Sequence, residues 1–208
     1  MMEGYITVKN AASFTLVEKK SEFIGYCAPV SAESEAIAFV EGIKKKHSDA
    51  RHNVYAYILR SGFTSRYSDD GEPHGTAGMP VLDAIRKAGV TDCAVVVTRY
   101  FGGVLLGTGG LVRAYTAAAS GALEQAGIAR VSLYAVMTMT MNYADYRRVT
   151  PVITAHGARI AGSGFADGVS LTVMTPSEFS ERFVSAVIDA SNGRVIPRRI
   201  GEKYDFCE

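Results

Sequence analysis

The sequence has few cysteines, no long apolar run and almost no net charge. Cys27, Cys93 and Cys207 are far apart and form no CxxC pair, which excludes a zinc ribbon and a dithiol redox site. A sparse, odd number of cysteines is typical of a reducing compartment. No apolar stretch reaches the roughly 18 residues that would predict a membrane-spanning helix.

The start of the chain and its charge balance exclude further classes. Residues 1–9 contain no apolar core behind a basic head, so no secretory signal is predicted and we expect a cytoplasmic protein. The sequence contains 22 Lys and Arg residues and 21 Asp and Glu residues, which gives a formal net charge of +1. This balance argues against nucleic-acid binding through bulk charge, although a local basic patch stays open.

The length and composition are those of a folded protein. The chain has 208 residues, of which 48% are hydrophobic and 21% are charged, and this excludes a disordered chain. The length allows one large domain or two small ones. The pattern changes after Gly127, so we predict an N-terminal domain at residues 1–130 and a C-terminal domain at residues 131–208.

The N-terminal part mixes strand and helix patterns. Strands are predicted at residues 5–9, 13–19, 23–30, 53–60 and 93–98. Ser31 is a good N-cap for a first helix, whose predicted inner face is Ile37, Val40 and Ile43. Two further helices are predicted at residues 80–87 and 109–126, closed by Gly89 and Gly127. Residues 61–78 and 99–108 are predicted as long polar, glycine-rich loops.

The C-terminal part has the order βαββαβ. Strands are predicted at residues 132–141, 158–165, 169–175 and 194–200. Asn142 and Ser177 are predicted helix caps, Pro151 is expected to bend or restart the first helix, and the second has a predicted apolar face of Phe179, Phe183, Val187 and Ala190. This order is that of a ferredoxin-like split βαβ unit, so we predict an α+β protein.

Loop one, residues 68–78, holds three carboxylates and an imidazole. Asp69, Asp70, Glu72 and His74 could hold a hard cation. Their spacing does not match a calcium loop, and the paired histidines of a zinc hydrolase are missing. The other interpretation is an ordered loop whose Asp side chains bind backbone amides.

Loop two, residues 99–110, connects a strand to a helix. Its bare amides and the helix dipole could bind an anion, with Arg99 and Arg113 adding charge. No Lys-Ser/Thr pair follows the glycines, so it is not a Walker loop, and Val112 stands where a dinucleotide fingerprint needs its third glycine. Tight helix–strand packing explains the glycines equally well.

The histidines and the remaining cysteine give weaker signals. His47 and His156 lie near predicted helix C-termini, where a cation interacts with the dipole. Arg51 and His52 precede a strand and are expected at a loop rim. No Ser-His-Asp or Cys-His constellation is present, and Cys93 is predicted to be a buried, inert thiol.

Several segments together resemble the IMPACT family, and the two-domain layout is similar to its bacterial, YigZ-like branch. The matching segments are KSEFI at residues 20–24, DARH at 49–52, SDDGEP at 68–73, GTAG at 75–78, and the whole run of residues 97–115. One departure is His74, where the family loop usually has a small residue. This departure weakens the idea of a fixed metal cage.

The resemblance implies a fold and a setting more than a chemistry. It implies an N-terminal domain similar to the second domain of a small-subunit ribosomal protein and to domain IV of elongation factor G. It also implies a C-terminal domain similar to domain V of that factor. Eukaryotic relatives regulate translation by competing for an activator of a kinase that bacteria lack, and the resemblance implies no catalytic residue.

The leading hypothesis is a non-enzymatic, translation-associated regulator without a cofactor that binds the ribosome, RNA or a translation factor. The candidate binding residues are Arg51, His52, Asp69, Asp70, Gly71, Glu72, Arg99, Tyr100, Gly102, Gly103, Gly107, Gly109, Gly110 and Arg113. Further RNA contacts are predicted at Lys44–Lys46, Arg198 and Arg199, with Tyr67, Tyr100 and Phe101 as stacking platforms. The hypothesis requires the two loops to converge on one exposed surface.

Two other hypotheses stay open. One is a metal-assisted phosphoester or nucleotide hydrolase, in which Asp69, Asp70, Glu72 and His74 hold the cation and Arg99 or Arg113 clamps the phosphate. The other is a scaffold that binds only another protein.

Overall fold

The computed structural model describes residues 4–207 and divides them into two compact units. One unit is Tyr5–Arg130, and the other contains residues 131–207 together with Gly4. The described residues contain five α-helices and ten strands, and the strands form two sheets with antiparallel pairing. This confirms the predicted mixture of helices and strands. No helix in residues 4–207 is long and apolar enough to cross a membrane.

The N-terminal unit contains a five-stranded sheet with the order β2-β3-β6-β4-β5. The strands of this sheet are β2 (Ala12–Glu18), β3 (Ser21–Pro29), β4 (His52–Leu59), β5 (Thr64–Ser68) and β6 (Cys93–Tyr100), and β1 (Gly4–Val8) lies outside it. Its helices are α1 (Glu33–Lys46), α2 (Gly78–Lys87) and α3 (Thr108–Ala126).

Helices cover both faces of this sheet. Apolar side chains of α2 and α3 form one core with the sheet, while Ala36 of α1 packs with Tyr57 and Leu59 on the other side. Residues 93–99 of β6, at the centre of the sheet, are all buried, as expected for a strand covered on both faces. Helix α3 approaches β3 so closely that a Cβ on Gly25 would lie 2.3 Å from the Ala118 carbonyl oxygen.

Three features of the N-terminal unit differ from the prediction. Residues 61–78 are not one loop, because the polar segment β5 pairs with β4 as an edge strand, which needs no apolar face on the core. Helix α1 begins after Ala32 rather than Ser31, since the Ser31 backbone N–H and hydroxyl both donate to the Glu35 carboxylate. The predicted inner face is also wrong at Ile37, which is 51% exposed, whereas its neighbour Ala36 is buried.

The C-terminal unit has the predicted βαββαβ order. Its elements are β7 (Ile128–Met141), α4 (Tyr143–Ala155), β8 (Arg159–Phe165), β9 (Val169–Pro176), α5 (Ser180–Ala190) and β10 (Arg198–Phe206). The strands pair in the order β10-β7-β9-β8, and all neighbours are antiparallel, as in a ferredoxin-like sheet. The Asn142 cap is confirmed, because its side chain accepts a hydrogen bond from the Asp145 backbone N–H at 2.8 Å.

Three predicted boundaries in this unit are wrong. Helix α4 does not restart at Pro151, because it runs unbroken from Tyr143 to Ala155 with Pro151 on its exposed side. Ser177 does not cap α5, because a 3₁₀ turn precedes it and leaves Phe179 40% exposed. The last strand begins at Arg198 instead of Arg194, since Pro197 carries no N–H for the ladder and the Arg194 side chain binds Asp145 at 2.6 Å.

Candidate functional site

The Asp69 side chain binds backbone amides at the far end of loop one. Its carboxylate accepts hydrogen bonds from the backbone N–H groups of Gly75, Ala77 and Gly78, at 2.9, 3.1 and 2.8 Å. Burial alone would raise the pKa of Asp69, but these donors outweigh it and hold the pKa below its ordinary value. This is the ordered loop that the second interpretation of the sequence predicted.

Asp70 attaches loop one to the start of β4. Its carboxylate accepts from the Asn53 backbone N–H at 2.7 Å and lies 3.3 Å from the Lys44 ammonium. The Asp70 carbonyl oxygen is 2.9 Å from His52 Nδ1. Loop one therefore packs on the segment that contains Arg51 and His52, and both residues belong to the predicted site.

Glu72 joins loop one to both ends of loop two. Its Oε1 accepts from Arg99 Nη1 at 2.6 Å and from the Tyr115 hydroxyl at 2.8 Å, and His52 Nε2 lies 3.9 Å away. Arg99 is the second-last residue of β6, the strand before loop two, and Tyr115 belongs to α3, the helix after it. The two loops therefore converge, as the sequence predicted, but the junction itself is buried.

The Glu72–Arg99 pair is enclosed by aromatic rings. Both side chains are less than a tenth exposed, and the Arg99 guanidinium lies 5.4 Å from the Phe23 ring and 5.6 Å from the Phe101 ring. Burial, followed by the Glu72 charge, raises the pKa of Tyr115, so its hydroxyl remains a donor. The geometry places Arg99 in an internal ion pair, away from any phosphate that reaches the surface.

The four residues proposed as a cation site point to different partners. Asp69 binds amides, Asp70 binds Asn53 and Lys44, and Glu72 binds Arg99. The fourth side chain, His74, is 96% exposed and lies 3.8 Å from the Asp69 carboxylate. Across residues 4–207, no group of three or more His, Cys, Asp or Glu side chains could hold a metal ion.

The glycines of loop two have several separate roles. Gly103 and Gly107 have positive φ angles of 83° and 71°, and Gly107 is the N-cap position of α3. A Cβ on Gly102 would lie 1.9 Å from the Lys20 carbonyl oxygen, and one on Gly110 would lie 2.9 Å from the Leu106 side chain. Gly109 faces Arg113, whose Nη1 would be 3.6 Å from such a Cβ.

Loop two exposes an apolar tip, of which the sequence analysis named only Phe101. We define the loop surface as the exposed side chains Phe101, Val104, Leu105 and Val112 with the cations Lys19, Lys20 and Arg113. Leu105 alone is 82% exposed. The segment GGVLLG has apolar residues between glycines without a helical or strand period, and the structure exposes Val104 and Leu105 while Leu106 joins the core.

The other predicted contacts are scattered over the molecule. Lys44 pairs with Asp70, and Lys46 donates to the Tyr26 hydroxyl at 3.3 Å. Arg199 pairs with Glu202, whereas Arg198 is exposed on β10. The further predicted residues that remain largely solvent-exposed are Lys45, Arg51, Tyr67, Gly71 and Gly109.

His47 lies in a chain of hydrogen bonds that the sequence did not reveal. It follows α1, as predicted, but its Nε2 is 2.7 Å from the Tyr26 hydroxyl and its Nδ1 is 2.8 Å from the Tyr100 hydroxyl. Tyr100 donates to Asp49 at 2.9 Å, so its oxygen is free to accept from His47 Nδ1–H. The neutral Nδ1–H tautomer therefore satisfies every bond in this chain.

Acid is expected to weaken the folded state at His47. Burial and then the Lys46 charge lower the pKa of His47, so the folded state takes up a proton less readily than the unfolded chain. The stabilising contribution is therefore complete above about pH 6.5 and decreases as the pH falls toward the lowered value. Urea unfolding at pH 8 and pH 5.5 measures this loss.

Matched histidine variants isolate the source of the pH dependence. His47→Gln should reduce the difference between the two pH values, whereas His156→Gln, at the end of α4, should leave it in place. An unchanged difference in His47→Gln would contradict the assignment.

The two cysteines of the first sheet are buried thiols. Burial raises the pKa of Cys27 to about 12 and raises that of Cys93 well above its ordinary value. Both therefore remain protonated and unreactive at neutral pH, as predicted for Cys93.

Two domain families match this sequence. The Impact N-terminal domain matches residues 19–123, which include both loops and Tyr115. A domain of unknown function, DUF1949, matches residues 139–194 in the C-terminal unit.

Similar proteins match over most of their length. The IMPACT family member YigZ of Escherichia coli is 37% identical over 88% of this chain and 92% of its own. The IMPACT family member YvyE of Bacillus subtilis is 33% identical over 93% of this chain and 90% of its own. A solved structure described as a hypothetical protein has a TM-score of 0.61 and 32% identity, and the match covers 97% of this chain and 99% of that one.

Proposed function

The chain belongs to the IMPACT family, and from this membership and the loop geometry we propose that it is a non-enzymatic regulator of translation. In this proposal it binds a protein component of the translation machinery through the loop surface. The setting in translation comes from the family resemblance, and the loop surface supplies the place of contact.

The observation that carries the proposal is the exposed apolar tip of loop two. Phe101, Val104 and Leu105 in loop two and Val112 in the first turns of α3 are all more than a third exposed, and exposed apolar side chains grouped in one short segment are typical of an interaction site. The internal Glu72–Arg99 pair and the Tyr115 hydroxyl support this loop at both of its ends.

The chemistry of the loop surface favours a protein partner. Apolar side chains gain most from burial against other apolar groups, and the surrounding Lys19, Lys20 and Arg113 favour a partner with acidic residues at its rim. The backbone of Lys20 touches Gly102, so the two lysines lie beside the apolar tip.

We also propose that each unit is similar in structure to a domain of the translation machinery. The N-terminal unit is proposed to be similar to the second domain of a small-subunit ribosomal protein and to domain IV of elongation factor G. The C-terminal unit is proposed to be similar to domain V of that factor. The antiparallel order β10-β7-β9-β8 supports the second likeness, since it is the order of a ferredoxin-like domain.

The hydrolase alternative gains no support from loop one. It needs a set of carboxylates that share one cation, whereas each carboxylate here already accepts hydrogen bonds from the chain itself.

Ribosome co-sedimentation tests the proposed function. The purified full chain should sediment with ribosomes at low salt, and much of it should remain bound at raised salt, because apolar contacts resist screening. Leu105→Asp should abolish co-sedimentation at both salt concentrations while leaving the unfolding transition unchanged, since Leu105 is 82% exposed.

The matched control is Phe63→Asp. Phe63 is 98% exposed at a positive φ of 49°, a conformation that Asp tolerates, and it lies outside the loop surface. This variant should sediment like the unaltered chain. Absence of the unaltered chain from ribosomal fractions at low salt, or equal losses in both variants, would overturn the proposal.

A further inference from the structure

A cavity of about 390 Å³ opens beside β7 and β10 in the C-terminal unit. The residues that line it are two arginines, two threonines, the exposed Ile196 and Met139, whose side chain packs in the core: the first four are Arg194, Arg198, Thr138 and Thr140. Arg198 lies directly opposite Thr138 in the strand register. This puts a guanidinium and a hydroxyl on the same face of the sheet.

The hydroxyl groups continue across the sheet from the cavity. Thr172 and Gly162 follow Thr138 in one row, and Ser170 and Gly164 follow Thr140 in the next. Met137 and Met139 lie in the helix-covered core, so the alternating residues of β7 face the opposite side. None of the residues in these two rows is aromatic.

The charges around the cavity are unequal. Arg194 is held by Asp145 through its Nε and Nη2 atoms, at 3.0 and 2.6 Å, so the charge of this pair is balanced. Arg198 is exposed at the edge of the hydroxyl rows. In the adjoining row Arg159 lies opposite Met174 and pairs with Asp205 at 3.3 Å, so a ligand on the hydroxyl rows meets the Arg198 cation beside several neutral donors and acceptors.

We propose that this face binds the sugar–phosphate backbone of base-paired RNA. A phosphodiester oxygen accepts hydrogen bonds from a guanidinium and from hydroxyls, and a ribose 2′-hydroxyl both donates to and accepts from Ser and Thr. The inference deepens the proposed function by adding RNA as a second partner, on a different surface from the loop surface.

Shape and composition favour a duplex over a single strand. Single strands are usually bound by aromatic side chains that stack on splayed bases, and these rows offer none. The two rows consist of small Thr, Ser and Gly residues without long side chains, which suits the wide, shallow minor groove of an A-form helix. The narrower B-form groove has no 2′-hydroxyl, so the same surface discriminates against DNA.

Fluorescence polarisation with the full chain tests this inference. A labelled RNA duplex of about 16 base pairs, the matching DNA duplex and the single RNA strand are titrated at one salt concentration. The RNA duplex should bind about tenfold more tightly than either competitor. Equal binding of all three, tighter binding of the single strand, or no binding would overturn the proposal.

Variants on the two faces of the unit locate the binding site. Arg198→Ala should weaken duplex binding about tenfold, and the near-isosteric pair Thr138→Val with Thr140→Val should weaken it by a similar factor. Arg182→Ala removes the same charge from the exposed side of α5 and should leave affinity unchanged. Equal weakening by Arg182→Ala would show binding through overall charge and would overturn the site.

A further variant tests the same face if the double threonine variant does not fold. Ser170→Ala removes one exposed hydroxyl and no core contact, so it is informative even where the threonine pair unfolds. It should weaken duplex binding measurably with an unchanged thermal transition, and unchanged binding would count against the face. Because Leu105→Asp lies outside this face, it should bind the RNA duplex normally, so failure of this inference and failure of the proposed function are separable.

Discussion

Replacing Glu72 by leucine should lower the free energy of unfolding by about 3–5 kcal/mol, because it leaves the Arg99 charge buried without its partner. Only 8% of the Arg99 side chain and 3% of the Glu72 side chain are exposed, so solvent cannot replace the lost contact at 2.6 Å. The Tyr115 hydroxyl also loses its acceptor. Urea unfolding monitored by circular dichroism measures the change.

A double-variant cycle separates the ion pair from packing at the same positions. Arg99→Met should cost a similar amount, since it strands the Glu72 carboxylate, whereas the double variant Glu72→Leu with Arg99→Met should recover most of the loss. Losses below about 1 kcal/mol in both single variants are typical of an exposed pair and would contradict the buried junction.

Gly102→Ala should destabilise the protein by more than about 2 kcal/mol, because its Cβ would overlap the backbone of the neighbouring hairpin turn. The added atom would lie 1.9 Å from the Lys20 oxygen and 2.0 Å from its carbonyl carbon, and backbone atoms cannot rotate away as a side chain can. The variant should also release loop two, which hydrogen exchange at residues 99–110 would detect.

A second glycine gives the matched control. Gly42 lies inside α1 with no atom within 4 Å of the Cβ position, so Gly42→Ala should stabilise the helix by about 0.5–1 kcal/mol. Similar thermal transitions for Gly102→Ala and the unaltered chain would show that the turn and loop two are not in close contact.

Much of the fold could be predicted because its signals are local. The apolar segment at residues 93–97 marks the buried strand β6, and Gly127, with a φ of 74°, marks the end of α3. Asn142 marks the start of α4, because its side chain accepts a hydrogen bond from the backbone N–H of Asp145. Each of these signals depends on residues close in sequence, so tertiary contacts do not change them.

The missed features depend on distant partners. Strand β5 is polar, and only its pairing with β4 makes it a strand. Glu72, Arg99 and Tyr115 span 43 residues, and no local pattern shows that they share a hydrogen-bond network. Sequence reasoning therefore predicted that the loops meet but could not predict which of their charges are neutralised inside the protein.

The burial of Arg99 would have been predicted if the predicted strand had been two residues longer. Ending the predicted strand at Thr98 placed Arg99 in a loop and suggested a phosphate clamp. The strand in fact runs to Tyr100, so Arg99 lies on the same face as Val95 and Val97, which belong to the buried core. An arginine on such a face predicts an internal carboxylate partner, and Glu72 is that partner.

Asp69 gives the start of α2 a different electrostatic character from that of a phosphate-binding helix N-terminus. At a phosphate-binding helix N-terminus, the backbone N–H groups have no partner in the protein and donate to the bound oxyanion. Here the chain supplies the oxyanion itself, because Asp69 already occupies the amides of Ala77 and Gly78 where α2 begins. Loop one is thus a self-liganded nest, and a nucleotide would have to displace a covalently tethered carboxylate in order to enter it.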